Sequence, residues 1–295
     1  MPITHLLLAL LVVVIWGLNF LFVKLALHEI SPLFLCVLRF VLASIPAIFF
    51  IKLPAVPFRV ILSYGLIMFA LQFSFLFVGM HVGMTPGMGS IIMQTQVFFS
   101  MFFAALFLGE KASIWQGFGA LISFTGIGIV AMHFDKNVSL LGFGCILAAA
   151  AIWGFGNLIT KRNHHVNMIA LVVWGSFVAW IPLLLLSLLV EGPRTIMHTF
   201  QHLTWQSVGS LFYIVYASTW VGYGVWNWLV SRYPVGMVVP FTLLVPVVGV
   251  LSSVLLLDEP FYLWKLVAGL LVISGLFINL FGARLFAPKV QQEVY

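Results

Sequence analysis

WGLNFLFVK (residues 16–24) and WGFGNLITK (residues 153–161) open on Trp-Gly, close on Lys, and are largely apolar between. Outward from these two stretches the likeness continues. Gly87-Met88, Glu110, Trp115 and Gly126 recur as Gly236-Met237, Glu259, Trp264 and Gly275, all at one offset of 149 that Tyr64 and Tyr213 also share. A repeated spacing of this kind marks one unit used twice. The chain therefore divides into a first unit over 1–134 and a second over 135–295.

Composition says what solvent those units face. Hydrophobic residues make up 63% of the 295 and charged residues only 7%, against roughly 25% charged in soluble domains. A domain of about 300 residues still exposes roughly a quarter of its unfolded surface, and this chain has too little charge to cover it in water. Lipid is the remaining solvent. The net charge of +6 is scattered between apolar runs and forms no basic stripe, so a nucleic-acid partner is excluded. Cys36 and Cys145 both lie inside apolar runs and read as small buried hydrophobes. The first run has no basic residue before it and no clean cleavage site after it, and reads as a membrane helix rather than a removed signal.

Crossing a 30 Å hydrocarbon layer takes about 20 helical residues. Ten runs qualify: 6–27, 32–51, 60–80, 86–108, 114–133, 140–160, 168–190, 206–229, 235–257 and 261–284. Turn and charge signals such as Ser31-Pro32, Thr85-Pro86-Gly87, Glu191-Gly192-Pro193 and Asp258-Glu259-Pro260 separate them. Lys24 and Arg39 lie within runs; of the other eleven cations, eight fall on one side and three on the other. That bias places both termini in the cytoplasm. The expected fold is all-α and polytopic, with ten transmembrane helices. Five helices per unit is an odd number, so the second unit enters the membrane inverted. Such repeats characterise secondary transporters, with the substrate held near the midplane between the units.

The halves resemble the two EamA domains of the drug/metabolite transporter superfamily. The resemblance rests on Trp16-Gly17-Leu18-Asn19-Phe20 through Lys24, on Leu38-Arg39-Phe40 and Pro46 to Phe50, and on Leu243 to Gly249 and Leu255 to Glu259. It implies export of small amino-acid-like metabolites, of the O-acetylserine and cysteine type, across a bacterial inner membrane. It implies no cofactor, and it leaves a homodimer open.

Charge inside a bilayer is costly and tends to face a cavity or a partner. Arg39 lies about seven residues into the second run, roughly 10 Å deep at 1.5 Å per residue. Its guanidinium can hold a substrate carboxylate through two parallel bonds, or it can pair with Glu29 or backbone carbonyls. Lys24 can snorkel to the interface or act as a charge partner. Asn19, Gln72, Gln94, Tyr223 and Asn227 fall at or outside the midplane, and Asn157 toward the inner side. Each alone suits a helix–helix hydrogen bond; together they could line a site that accepts ammonium and donates to carboxylate. Trp16, Trp153, Trp220 and Tyr223 could wall it. Gln94 and Gln96, two residues apart, are expected on opposite helix faces and not in one cavity. Glycines 117, 119, 126 and 128 with Ser123, and glycines 269, 275 and 282, suit close packing of the fifth and tenth runs. Pro240 and Pro246 predict a bend in the ninth run that serves as a hinge; the fourth run carries no proline inside.

None of the seven acidic residues occupies a helix centre. Proton-coupled carriers commonly place an acid or His relay there, so export down the substrate's own gradient is expected. Glu110 and Glu259 suit helix-end capping. No Gly-rich phosphate loop ending in GK[ST] exists, which argues against ATP-driven pumping. An embedded enzyme would need a nucleophile with its base or clustered metal ligands at depth; the adjacent His164-His165 pair, with no carboxylate nearby, supplies neither. Export of aromatic or drug-like amphiphiles is the alternative among transporters.

Overall fold

The computed structural model describes residues 1–133, 138–163, 166–233 and 235–286. The His164-His165 pair, the turn at Asp135 to Asn137, and the side chains of Asn227 and Pro240 lie outside the described residues. Within them, strand pairing is limited to a bridge between Met84 and Val138, and the rest of the architecture is helical. The elements are α1 (Ile3–Ala26), α2 (Pro32–Ser44, continued by a 3₁₀ turn at Ala47–Phe49), α3 (Phe58–His81), α4 (Pro86–Leu108), α5 (Ile114–Ala131), α6 (Leu140–Arg162) and α7 (Met168–Val190). They continue with α8 (Pro193–His202), α9 (205–232), α10 (235–257) and α11 (Leu263–Phe286). Eight of these, α1–α7 and α11, are long and apolar enough to cross a membrane.

The ends follow local chemistry. Pro32, Pro86 and Pro193 stand in the first turn of α2, α4 and α8, where no backbone donor is needed. Ser113 and Gln116 form a capping box at α5, and Ser139, Asn167 and Thr204 cap α6, α7 and α9. Two helices stop on left-handed residues at equivalent repeat positions, Gly109 at φ 68° and Asp258 at φ 50°. The stretch after Glu191, expected as a plain connection, instead carries α8. Its Thr199 is buried while Met197 and Phe200 are exposed. Glu191 itself caps α2, accepting from Ser31 Oγ at 2.8 Å, Leu33 N at 2.7 Å and Phe34 N at 3.1 Å; a carboxylate suits the positive end of a helix.

Four of the long helices are irregular. A π-helical stretch occupies Gly65–Leu71 in α3 and another Tyr213–Gly222 in α9, at matching repeat positions. Where a bend was expected in α10, a 3₁₀ segment occupies Val239–Leu244. Pro246 stands in the first turn of the α-segment that follows (Val245–Leu257), where its missing N–H removes no helical bond. A break in α4 at Gln94-Thr95 was not expected. It separates Pro86–Met93 from Gln96–Leu108 without a proline. Thr95 Oγ1 donates to the Ile92 carbonyl at 2.7 Å, and this competition for a backbone acceptor is a known way to bend a helix.

Close helix contacts recur in related pairs. A Cβ on Gly17 of α1 would stand 2.5 Å from Val248 Cβ of α10, and one on Gly154 of α6 would stand 2.6 Å from Phe99 Cβ of α4. Val248 and Phe99 differ by the repeat offset. In the α5–α11 contact, a Cβ on Gly126 would lie 2.7 Å from the Ala268 carbonyl, and one on Gly275 would run into that of Gly119. Ser123 Oγ donates to the Val272 carbonyl at 3.0 Å between them. The small-residue stripe divides here: Gly117 and Gly128 face open space. A continuous core of Phe40, Phe73, Phe77, Met80 and Ile92 joins α2, α3 and α4, beside the site described next. Cys36 and Cys145 are buried free thiols.

Candidate functional site

A cavity of about 120 Å³ lies between α1, α2, α3, α4, α6, α9 and α10. Arg39, Asn19, Gln94, Trp16, Trp153 and Tyr223 all contribute to its wall, so six of the side chains singled out in the sequence meet in one place. Phe20, Phe73, Leu76, Met93 and Val245 supply the apolar remainder.

Arg39 dominates its chemistry. It is 3% exposed. Nη2 donates to Thr219 Oγ1 at 3.1 Å, whereas Nε and Nη1 have no hydrogen-bond partner among the described residues. The guanidinium carbon lies 4.2 Å from the centroid of the Phe73 ring, a cation–π contact worth about 2 kcal/mol when desolvated. That compensates only part of the cost of a buried charge. Glu29 is not its partner. The Glu29 carboxylate accepts from Thr204 N at 2.8 Å and Thr204 Oγ1 at 3.0 Å, and the Thr204 backbone N–H, helped by Ser207, holds it below the usual carboxylate range. Asn19 brings the opposite polarity: it is buried, and its Oδ1 has no partner among the described residues. Unmet donors and an unmet acceptor thus line one small space.

The other polar residues take different places. Trp16 Nε1 donates to the Ser218 carbonyl at 3.2 Å, and its ring lies 5.5 Å from Tyr223. Gln94 and Gln96 both line the cavity, against the expectation of opposite faces. The break at 94–95 interrupts the helical rotation that the expectation assumed. Asn157 does not reach the wall; its Nδ2 donates to Gln96 Oε1 at 3.1 Å and Ser100 Oγ at 2.9 Å, steadying Gln96 from behind. Gln72 is buried with Nε2 unpartnered among the described residues, but it does not line the cavity. Trp220 instead borders a neighbouring space of about 250 Å³, which shares Tyr223 with the central site and is also lined by Thr219, the Arg39 partner. Lys24 lies elsewhere, donating to the Met80 carbonyl at 3.1 Å and lining a separate cavity of about 240 Å³ with Glu259. Ser218, Thr219 and Thr242 went unnoticed in the sequence because hydroxyls in membrane helices usually bond their own backbone. A larger groove of about 460 Å³ beside Pro182 and Leu186 is almost wholly apolar, and its Ser74 hydroxyl is engaged by the Ala70 carbonyl.

The profile of the EamA-like transporter family matches residues 3–132 and again 140–281. The chain belongs to this family. Among its relatives, a "Probable amino-acid metabolite efflux pump" of Escherichia coli (strain K12) is 39% identical over 283 residues, covering 94% of this chain and 95% of that protein. A protein of the same name in Salmonella typhimurium matches to the same extent. The "Uncharacterized transporter YoaV" of Bacillus subtilis is 25% identical over 92% of this chain and 94% of its own length. A crystal structure with 14% sequence identity superposes with a TM-score of 0.62 over 96% of this chain and 99% of its own, which extends the fold to a distant sequence. Membership of an EamA-like transporter family and eight apolar helices make this chain a multi-pass membrane protein that transports a solute.

Proposed function

We propose that this EamA-like transporter exports small zwitterionic amino-acid metabolites, O-acetylserine and cysteine among them, across the bacterial inner membrane. The observation that carries this reading is the pairing inside one cavity of Arg39, with Nε and Nη1 unpartnered, and Asn19, with Oδ1 unpartnered. A carboxylate suits the first and an ammonium the second. Trp16, Trp153 and Tyr223 add aromatic faces for the cation. The space of about 120 Å³ falls below the ~300 Å³ at which drug-sized pockets begin, which favours small solutes over bulky amphiphiles. The relatives named for amino-acid metabolite efflux support the same substrate class.

The architecture behind it is ten spans, with α9 and α10 joining the eight apolar helices, arranged as two inverted units with both termini in the cytoplasm. Two matches of one family profile and the paired glycine contacts support the two units. The excess of Lys and Arg on one side supports the orientation. Alternating access then means rocking of one unit against the other around a fixed site. Overexpression in bacterial cells, followed by quantification of amino-acid metabolites in the medium, is the test. Extracellular O-acetylserine or cysteine rises with the intact chain and stays at background with Arg39→Ala inserted at equal levels. Equal release by both proteins would remove Arg39 from the site, and no rise with either would remove this substrate class.

A further inference from the structure

Two Lys/Glu sets stand at opposite ends of the molecule, and the repeat maps one onto the other. Lys24 and Lys161 each close a Trp-Gly…Lys stretch, while Glu110 and Glu259 are separated by the repeat offset. At the end of α4 and α6 the pair is formed. Lys161 Nζ lies 2.5 Å from one Glu110 carboxylate oxygen and donates to the other at 2.7 Å. Beside it Arg162 Nη2 donates to the Phe107 carbonyl at 3.3 Å. At the end of α1 and α10 the equivalent pair is parted. Lys24 and Glu259 line the same outer cavity of about 240 Å³, but each is engaged elsewhere: Lys24 on the Met80 carbonyl, Glu259 on Lys265 at 2.8 Å and on Ser253. Each set joins an element of the first unit to an element of the second. Each also lies along one of a repeat-related pair of close inter-unit contacts, Gly17 against Val248 and Gly154 against Phe99.

We infer that Glu110–Lys161 and Lys24–Glu259 are alternating latches: the first holds the inner end shut in the state described here, and the second forms, as the first parts, when the outer end closes. This inference rests on the rocking of two inverted units proposed above, not on the identity of the solute. Both latches are built to open cheaply, by different means. Glu110 and Lys161 have side chains 46% and 54% exposed, so water solvates them once apart, and such exposed pairs contribute little to stability. Glu259 is buried, and a buried charge left alone is costly. Lys265 and Ser253 take it over when Lys24 is away. At the repeat-equivalent positions near Glu110 stand Gln116 and Ala104, neither of which carries a charge to neutralise a carboxylate. The parking site therefore occurs only at the end where it is needed.

The test uses the full-length protein in liposomes, with Cys36→Ala and Cys145→Ala as background. Glu110→Cys with Lys161→Cys, and Lys24→Cys with Glu259→Cys, are probed with a short bis-maleimide. Each pair is expected to cross-link when present alone. In a chain carrying all four cysteines, completing one link should bring the other down to background. Both links in one molecule would overturn the inference. So would an outer pair that never links in monodisperse protein whose inner pair does. Where the cysteine chains fail to fold, charge reversal decides. Lys161→Glu and Glu110→Lys alone should raise labelling of Ser100→Cys by a membrane-impermeant maleimide applied to the inner face, and the two together should return it to the starting rate. A double variant that labels like the single ones would refute the latch. None of these readouts requires knowing what is carried, so failure of metabolite export and failure of the latch are separable.

Discussion

Five N–H donors converge on a guanidinium, and Arg39 satisfies few of them with protein acceptors. A side chain placed there for stability alone would be paired more fully. Replacing a poorly paired buried charge by an apolar group of similar length is commonly neutral, or stabilising by about 1–4 kcal/mol. Arg39→Met is therefore expected to hold or raise the thermal midpoint of the purified protein while abolishing transport. Arg39→Lys should also lose most transport, because an ammonium cannot form the two parallel bonds of a guanidinium. A fall in midpoint with transport intact would assign Arg39 to the scaffold. At this scale the sequence was informative wherever charge or a large aromatic ring stood inside an apolar run, which is how Arg39, Trp16 and Trp153 were found. It was silent on Thr219, whose hydroxyl serves both Arg39 and the Ile214 carbonyl. It misjudged Gln72 and Asn157, since an amide side chain reveals its depth in a helix but not which neighbour it meets.

Among the elements, helix extents were legible because a run of about 20 apolar residues bounded by Pro, Gly and charge admits few readings. Internal irregularities were not. The 3₁₀ segment of α10 lies in the stretch that Pro240 and Pro246 mark in the sequence, whereas the break in α4 depends on Thr95 turning back on the Ile92 carbonyl, and the π-helical stretches carry no local signature. The glycines separate by what they touch. Gly119→Val would push into the Gly275 carbonyl and should cost about 1–3 kcal/mol through overpacking. Gly117→Ala, two residues away with nothing within 4 Å, should stabilise α5 by about 0.5–1 kcal/mol. Thermal unfolding of both variants checks the contrast, and equal effects would mean that α5 and α11 do not pack as described.

For the molecule as a whole, no acidic side chain among the described residues lines the central cavity, and Glu259, which is buried, stands at one end of the molecule with Lys265 as its own cation. No carboxylate lines the central site. Export from loaded vesicles is expected to continue when ΔpH is collapsed with the substrate gradient held constant. Export that stops would show proton coupling. Both termini, tagged in intact cells, should be reached only after the membrane is permeabilised; one tag accessible from outside would break the inverted arrangement.

The π-helical stretches in α3 and α9 are surplus residues absorbed without breaking the rod. A surplus of this sort behaves like a ruck in a carpet, able to travel while the fabric on either side keeps its weave. Passage of the ruck by one position swivels a side chain by about 100° about the rod's axis. Thr219 lies inside the α9 stretch and Tyr223 at its edge, so a single step there would carry the hydroxyl away from Arg39 and swing the phenol out of the wall. The cargo's grip and the rod's winding would then change together, with no hinge required.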